Sequence, residues 1–227
     1  MQQVTYSLPD ADNLRQAYHA AYGKACEAFR RWNPLDMAAS SGSSWDDGSS
    51  SFLVHYISEN YNVHFPSGEI ISERGGDPVP ITVKIVILHY LTRAGGQPLA
   101  HRWISFKEIP SAGMIYLEPF NKRVVNYLTG VFGRQPQLLT QAGLSLGGIA
   151  VDCGDYGIRF NLLPRLPVTY ALWAGDEEFP PRATVLFDAT APFYLPTEDL
   201  IVAAGYGVSQ LAKTVKNGKS SNPSAAT

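Results

Sequence analysis

The chain has 227 residues, enough to bury a core as one domain without disulfides. Its 18 Lys and Arg against 20 Asp and Glu give a formal net charge of −2, which excludes a strong field for nucleic acid or an anionic membrane. The longest aliphatic run, Ile85–Leu88, is too short for a membrane span. Two cysteines are too few for a disulfide framework, so we expect a reduced, cytoplasmic protein.

The first third of the chain predicts one helix and then a small sheet. Apolar residues recur at three- and four-residue steps over 12–32, a pattern typical of an amphipathic helix. The Ser-rich segment 40–51 carries Trp45, which indicates a loop folded back onto the domain rather than a free linker. Three short strands are predicted next, at 52–56, 61–65 and 69–72.

The remaining two thirds mix helices with short strands. Residues 79–93 fit a strand by propensity and a buried helix by length, and the Gly pair that follows favours the helix. Further helices are predicted at 105–108, 119–132 and 197–212, and strands at 147–153, 156–163, 168–173 and 184–187. The fold class expected is α+β: a single domain over 1–212 whose mostly antiparallel sheet of short strands packs with about four helices. A disordered tail is predicted over 213–227.

Two familiar nucleophilic sites fail on inspection. Gly143–Gly147 matches G-x-S-x-G, but that elbow needs a histidine later in the chain and none of the five follows Ser145. Cys26 is expected to be a small core residue, and the carboxylate of Asp152 raises the pKa expected for Cys153. The sequence therefore predicts no serine or cysteine hydrolase.

Carboxylates over 176–178 form the densest acidic cluster. Asp176 and Glu178 alternate along the chain and can share a face, and with Asp188 they offer oxygen ligands for a divalent metal. The alternative is a polar turn in which Asp176 accepts backbone N–H bonds.

Aromatic and imidazole side chains supply the other candidate ligand contacts. Trp103 and Trp173 border polar residues, so each can line a pocket for a planar ligand or form the rim of the core. His89 lies in an apolar run, where it is either a buried neutral histidine or a ligand to a metal or tetrapyrrole. His55 and His64 fall on adjacent predicted strands, where they can be neighbours.

The segment from Pro164 to Ala203 resembles a bacterial and archaeal domain family of unknown function found in anaerobes. The resemblance rests on this block as a whole, and the earlier pieces Ile87–Leu91 and Trp103–Phe106 fit the same family. Some members are fused to a small iron–sulfur domain, which implies a setting in redox or corrinoid metabolism. This chain has no cysteine cluster, so an iron–sulfur centre would belong to a partner.

Together these features predict an accessory protein that binds a cofactor or small-molecule ligand and has an iron–sulfur or corrinoid protein as partner. The candidate cofactors are a tetrapyrrole, a corrinoid or a divalent metal. The ligand contacts expected are Trp173, Asp176, Glu178, Trp103 and His89, and the metal ligands expected are Asp176, Glu178 and Asp188. Two alternatives are a metal-dependent enzyme that uses the three carboxylates and a protein-interaction module.

Overall fold

Two antiparallel sheets and the helices packed on them form the fold of the computed structural model, which describes residues 11–110 and 114–220. The helices are α1 (Ala11–Phe29), α2 (Pro34–Ser41), α3 (Ile81–Arg93), α4 (Leu117–Phe120), α5 (Asn126–Phe132), α6 (Gln137–Ser145) and α7 (Thr197–Ser220). The strands are β1 (Ser44–Asp46), β2 (Ser51–Tyr56), β3 (Glu59–His64), β4 (Glu69–Ser72), β5 (Trp103–Ser105), β6 (Ile149–Ala150), β7 (Tyr156–Leu163), β8 (Leu166–Trp173) and β9 (Arg182–Asp188). The α+β prediction is therefore confirmed.

The first sheet has the strand order β1-β2-β3-β4 and buries one face. Alternate side chains of β2 and β3 are buried, because successive residues of a strand point to opposite faces. Phe29 at the end of α1 packs on Phe52, with ring centroids 5.7 Å apart. Trp45 lies 4.7 Å from the Phe52 ring, which confirms that the Ser-rich segment folds back and shows that it includes β1.

The second sheet has the order β5-β9-β8-β7-β6 and packs its inner face against α7. Tyr170 projects from that face and donates a hydrogen bond to the carbonyl of Ala204 on α7 at 2.9 Å. A Cβ on Gly207 would lie 2.1 Å from the Tyr170 hydroxyl, so only glycine allows α7 to approach this closely. Arg159 and Thr169 alternate with the inner residues and therefore lie on the outer face.

Helix α3 resolves the ambiguity of residues 79–93 in favour of the buried helix. Seven of its 13 residues are buried, which fits its near-continuous apolar sequence. Its Tyr90 hydroxyl donates to the carbonyl of Ser41 at 2.6 Å and accepts from the N–H of Arg165 at 2.9 Å. These two bonds connect α2, α3 and the β7–β8 turn.

Several predicted boundaries were wrong. The predicted helix 12–32 ends at Phe29, because Asn33 instead caps α2 by accepting from two backbone N–H groups. Helix α7 runs to Ser220 rather than ending at 212, so the tail prediction is wrong for 213–220, while 221–227 lie outside the described residues. Among the described residues, no helix is long and apolar enough to cross a membrane.

Two elements, β5 and α6, were not predicted from the sequence. Strand β5 pairs with β9, and helix α6 occupies the G-x-S-x-G segment. Between α4 and α5 the backbone makes a π-helical turn over Asn121–Val125. A Cβ on Gly205 of α7 would lie 3.6 Å from the carbonyl of Arg123 in that turn, so α7 passes close to it.

Candidate functional site

A polar cavity of about 310 Å³ lies where β3, β4 and the segment 73–80 meet α7. This volume is at the lower end of the range found for small-molecule sites. Its lining residues are Glu59, Tyr61, Ser72, Arg74, Gly75, Asp77, Pro78, Val79, Pro80, Tyr206 and Lys213. Residues from four separate parts of the chain thus converge on one space.

A chain of hydrogen bonds runs along the floor of this cavity. The Tyr61 hydroxyl donates to Glu59 Oε2 at 3.0 Å, and the Tyr206 hydroxyl lies 3.2 Å from that of Tyr61. Because the Tyr61 proton is directed to the carboxylate, Tyr206 donates to Tyr61. Burial, with the hydrogen bonds to Tyr206 and Glu59, raises the pKa of Tyr61 well above its usual value, so this phenol stays protonated.

Glu59 is the partly buried charge of the cavity. Its side chain is 27% exposed, and the nearest cation is Arg74, whose Nη1 lies 3.9 Å from Glu59 Oε1. The Arg74 Nη2 donates to the carbonyl of Ser58 at 2.7 Å, which orients the guanidinium at the cavity edge. A carboxylate has about four lone-pair sites. Tyr61 and Arg74 use only part of this capacity in Glu59, so the rest is open to a ligand.

Two buried polar atoms behind the cavity have no hydrogen bond of good geometry: the Tyr56 hydroxyl and Gln210 Nε2. The ring of Tyr56 packs on Tyr206 with centroids 4.9 Å apart. Gln210 lies one turn after Tyr206 on α7. Unpaired buried polar atoms cost about 1–3 kcal/mol each, a cost that proteins tend to retain at functional sites.

Two exposed charges at the cavity mouth are unpaired. Neither Asp77 nor Lys213 forms an ion pair in the part of the chain that the structure describes. Lys213 follows Tyr206 by two helical turns, so the two lie on one face of α7 about 10 Å apart along its axis. The cavity therefore offers a tyrosine and carboxylate floor and a mouth with both signs of charge.

This arrangement suits a small polar ligand better than a tetrapyrrole or corrinoid. No histidine or cysteine is among the described residues that line the cavity, so these residues offer no axial nitrogen or sulfur ligand. Among the described residues, no three His, Cys, Asp or Glu side chains lie close enough together to hold a metal ion. What the cavity supplies is hydrogen-bond donors, hydrogen-bond acceptors and charge.

The predicted ligand contacts Asp176 and Glu178 lie in the β8–β9 hairpin, after Trp173, and do not line the cavity. Asp176 Oδ1 accepts the N–H of Glu178 at 2.9 Å and that of Phe179 at 2.7 Å. These backbone bonds lower the pKa of the Asp176 carboxyl. The geometry is the polar turn that the sequence offered as the alternative to a metal site.

Asp188 lies at the opposite end of β9 from this hairpin, six residues beyond Arg182 and thus about 20 Å away. The prediction that Asp176, Glu178 and Asp188 share one metal is therefore not supported. The Asp188 side chain is 1% exposed and accepts from the N–H of Ala100 at 3.1 Å. It also accepts from the N–H and hydroxyl of Thr190, at 3.0 and 2.6 Å.

The contacts of Asp188 identify it as a structural anchor for the segment before β5. Burial by itself would raise the pKa of this carboxyl. Hydrogen bonds from Thr190, Ala100 and His101 outweigh that effect and hold the pKa below its ordinary value. His101 has a φ of 51°, a left-handed conformation uncommon for a residue with a side chain, and the bond to Asp188 helps to fix it.

Trp103 and Trp173 lie on the same outer face of the second sheet but do not meet. Trp103 pairs with Asp188 and Trp173 pairs with Arg182, so about 20 Å of β9 separates them. The Arg159 guanidinium stacks 3.8 Å from the centroid of the Trp103 ring. The two tryptophans therefore do not line one ligand pocket.

His89 forms a short contact with a residue that the sequence analysis did not select. Its Nδ1 lies 2.5 Å from Asp199 Oδ2, with side chains 28% and 12% exposed. The bond joins α3 to the first turn of α7. His55 and His64 are not neighbours as predicted: His55 pairs with Asn60 and His64 pairs with Ser51, four residues further along the sheet.

The cavity residues were missed because their meeting depends on long-range packing. The contact between Tyr61 and Tyr206 joins positions 145 apart. The available signals were local and weak: alternation along β3, two glycines at 75–76, and a seven-residue spacing from Tyr206 to Lys213 on α7.

Comparison with known proteins places the chain in a family. Residues 33–210 match the domain of unknown function DUF3786, and the chain belongs to that family. No curated protein and no solved structure matches the chain. The match includes Glu59, Tyr61, Arg74 and Tyr206 and ends before Lys213.

Proposed function

We propose that this member of the DUF3786 family is a binding protein for a small polar organic molecule that carries both a cationic and an anionic group. The observation that carries the proposal is the hydrogen-bond chain Tyr206–Tyr61–Glu59, which opens into a cavity of about 310 Å³. Free α-amino acids are the simplest ligands of this class.

The charged residues that line the cavity indicate where the cationic and the anionic group of such a ligand would bind. An ammonium group would donate to Glu59, whose carboxylate keeps free lone pairs. The carboxylate would face Arg74 and Lys213, and Lys213 has no competing ion pair among the described residues. Bringing both groups into a partly enclosed space strengthens these contacts relative to water.

Thermal unfolding in the presence of each of the twenty protein amino acids tests the proposal. A ligand present at 100 times its Kd stabilises the folded state by about 2.7 kcal/mol, or about 5–10 °C in Tm for a chain of this size. We expect at least one amino acid to give such a shift, and Glu59→Gln and Lys213→Ala to reduce it.

Lys216→Ala is the matched control, because Lys216 is exposed on α7 and does not line the cavity. This variant should respond like the wild type. If no amino acid shifts the Tm, or if Glu59→Gln and Lys213→Ala respond as fully as Lys216→Ala, the proposed ligand class is wrong.

The family resemblance extends the proposal to a biological setting. We place the protein in the reduced cytoplasm of anaerobes, beside a partner that carries an iron–sulfur or corrinoid group. Cys26 on α1 and Cys153 in the β6–β7 loop are both free thiols, so this chain would supply no cluster of its own. The complex isolated without oxygen should show iron or cobalt in stoichiometric amount, and a metal-free, colourless complex would contradict this setting.

Of the two alternatives, the metal-dependent enzyme lacks support because its three carboxylates lie at opposite ends of β9. The second alternative, a protein-interaction module, is supported by Met114 and Ile115, two highly exposed apolar residues beside α4. Sedimentation of Ile115→Ser against the wild type tests that alternative. A smaller assembly in the variant would favour it, and equal masses would count against it.

A further inference from the structure

The outer face of the second sheet carries an arginine that is held in place but not neutralised. The Arg159 guanidinium stacks on Trp103 at 3.8 Å, and its Nε donates to Thr169 Oγ1 at 3.0 Å. The ring contact and the hydrogen bond together restrict the position of the guanidinium. Two independent contacts thus orient the group before any ligand arrives.

Among the described residues, no group accepts a hydrogen bond from the outer N–H donors of this guanidinium. Arginine has five N–H groups, and Thr169 uses only the one on Nε. No carboxylate of the described residues lies within ion-pair distance of Arg159. Asp188 lies on the same face of the sheet, but its Oδ1 accepts from Ala100 and Thr190 and it forms no ion pair with Arg159.

The register of the sheet places Arg159 in a continuous row. Ser105, Leu186, Thr169 and Arg159 lie side by side on four neighbouring strands. Thr169 is almost fully buried beneath the Arg159 and Trp103 side chains, while Leu186 is half-buried. The guanidinium therefore lies on the opposite side of the sheet from α7 and the cavity.

We propose that Arg159, supported by Trp103 and Thr169, is a binding site for the oxyanion of a small molecule, either a carboxylate or a phosphate. A planar guanidinium binds two oxygens of such a group through parallel N–H bonds. Because the arginine is already oriented, little side-chain entropy is lost on binding. This site is separate from the cavity and does not depend on the proposed function.

Arg182 is the internal control on the same face. Its guanidinium lies 6.0 Å from the Trp173 centroid, its side chain is exposed, and no hydrogen bond of the described residues holds it. The two arginines carry the same charge and each faces a tryptophan. They differ in how firmly they are oriented, which is the property on which the proposal depends.

The test is an NMR titration of the full chain with sodium phosphate or sodium acetate, against sodium chloride at equal ionic strength. The Trp103 indole N–H and the Arg159 Nε–H report on the site, and Trp103→Phe and Arg159→Lys assign these signals. We expect saturable shifts with phosphate, acetate or both. A response to phosphate alone identifies the ligand as a phosphate, and a response to acetate alone identifies a carboxylate.

Variants separate an oriented guanidinium from a simple positive charge. Arg159→Lys keeps the charge but removes the parallel N–H donors of the guanidinium. We therefore expect the Kd, measured from the Trp103 indole signal, to rise at least tenfold. Thr169→Val removes only the Nε acceptor and should weaken binding by a smaller factor, while Arg182→Lys should bind like the wild type. The proposal is overturned if neither phosphate nor acetate shifts the Trp103 and Arg159 signals more than chloride does. It is also overturned if Arg182→Lys weakens binding as much as Arg159→Lys.

Discussion

Truncating Asp188 should reveal it as an anchor of the fold. Its Oδ1 accepts from the N–H of Ala100 and from the N–H and hydroxyl of Thr190, and the N–H of His101 also donates to the carboxylate. Hydrogen bonds to a charged group contribute about 1.5–3 kcal/mol each. Water can reach some of the donors that Asp188→Ala leaves unpaired, so we expect a loss of about 3–5 kcal/mol in the free energy of unfolding.

Urea unfolding followed by circular dichroism measures this loss. At an m-value of about 2–3 kcal/mol/M, the midpoint should fall by about 1–2 M with the slope unchanged. Asp188→Asn keeps an acceptor at Oδ1, so its loss should be smaller, about 1–2 kcal/mol. A change below about 0.5 kcal/mol for Asp188→Ala would refute the anchoring argument.

The pH dependence gives a second check on Asp188. Its pKa is lower in the folded chain than in the unfolded chain, so the ionised form favours folding. That contribution is fully present above the unfolded pKa of about 3.9 and is lost as the pH falls through the lower folded value. The stability difference between wild type and Asp188→Asn should therefore shrink with acidification in that window. A difference that grows there would contradict the assigned direction.

Three further predictions concern the core and the thiols. Tyr90→Phe removes a buried hydroxyl that both donates and accepts, so urea unfolding should show a loss of about 1–3 kcal/mol; an unchanged midpoint would contradict this. Gly207→Ala places a Cβ 2.1 Å from the Tyr170 hydroxyl, so its Tm should fall by several degrees, and an unaltered Tm would show that the contact can relax. Burial raises the pKa of both Cys26 and Cys153, so iodoacetamide should react slowly at pH 7 and faster as the pH rises; rapid labelling at pH 7 would refute this.

Local patterning accounts for the elements that the sequence predicted well. Strands β2 and β3 show their alternation directly, because one face of the first sheet is buried and the other is exposed. Helix α3 is apolar over a length that exceeds a typical strand, and the glycines after it mark its end. In these segments the local signal and the tertiary environment agree.

Helix α6 was missed because residues 143–147 were considered only as a G-x-S-x-G motif. A Cβ on Gly143 would lie 2.1 Å from Ile158 Cγ1, so the glycine lets the helix lie directly on β7. Helix α7 was cut short at 212 because Lys213 and Lys216 were interpreted as the start of a polar tail. Both are good helix formers, and the partly buried Val215 continues the packed face.

The site residues could not be predicted from local patterns, since each depends on a partner far away in the chain. His89 was selected as a candidate ligand, yet its partner Asp199 is 110 positions distant. Asp188 was selected for its charge, and the N–H of Ala100 that donates to it is 88 positions away. A carboxylate in a sequence shows its charge but not which donors the fold brings to it.

The close packing of α7 determines the shape of the cavity. Tyr206 lies between Gly205 and Gly207, which approach the π-helical turn and the second sheet closely. This double contact fixes the position of α7, and with it the 3.2 Å approach of the Tyr206 hydroxyl to Tyr61. Displacing α7 by the width of a methyl group would break that bond and open the cavity floor. Stability and ligand binding should therefore fall together in Gly207→Ala, whereas Lys213→Ala should affect binding alone.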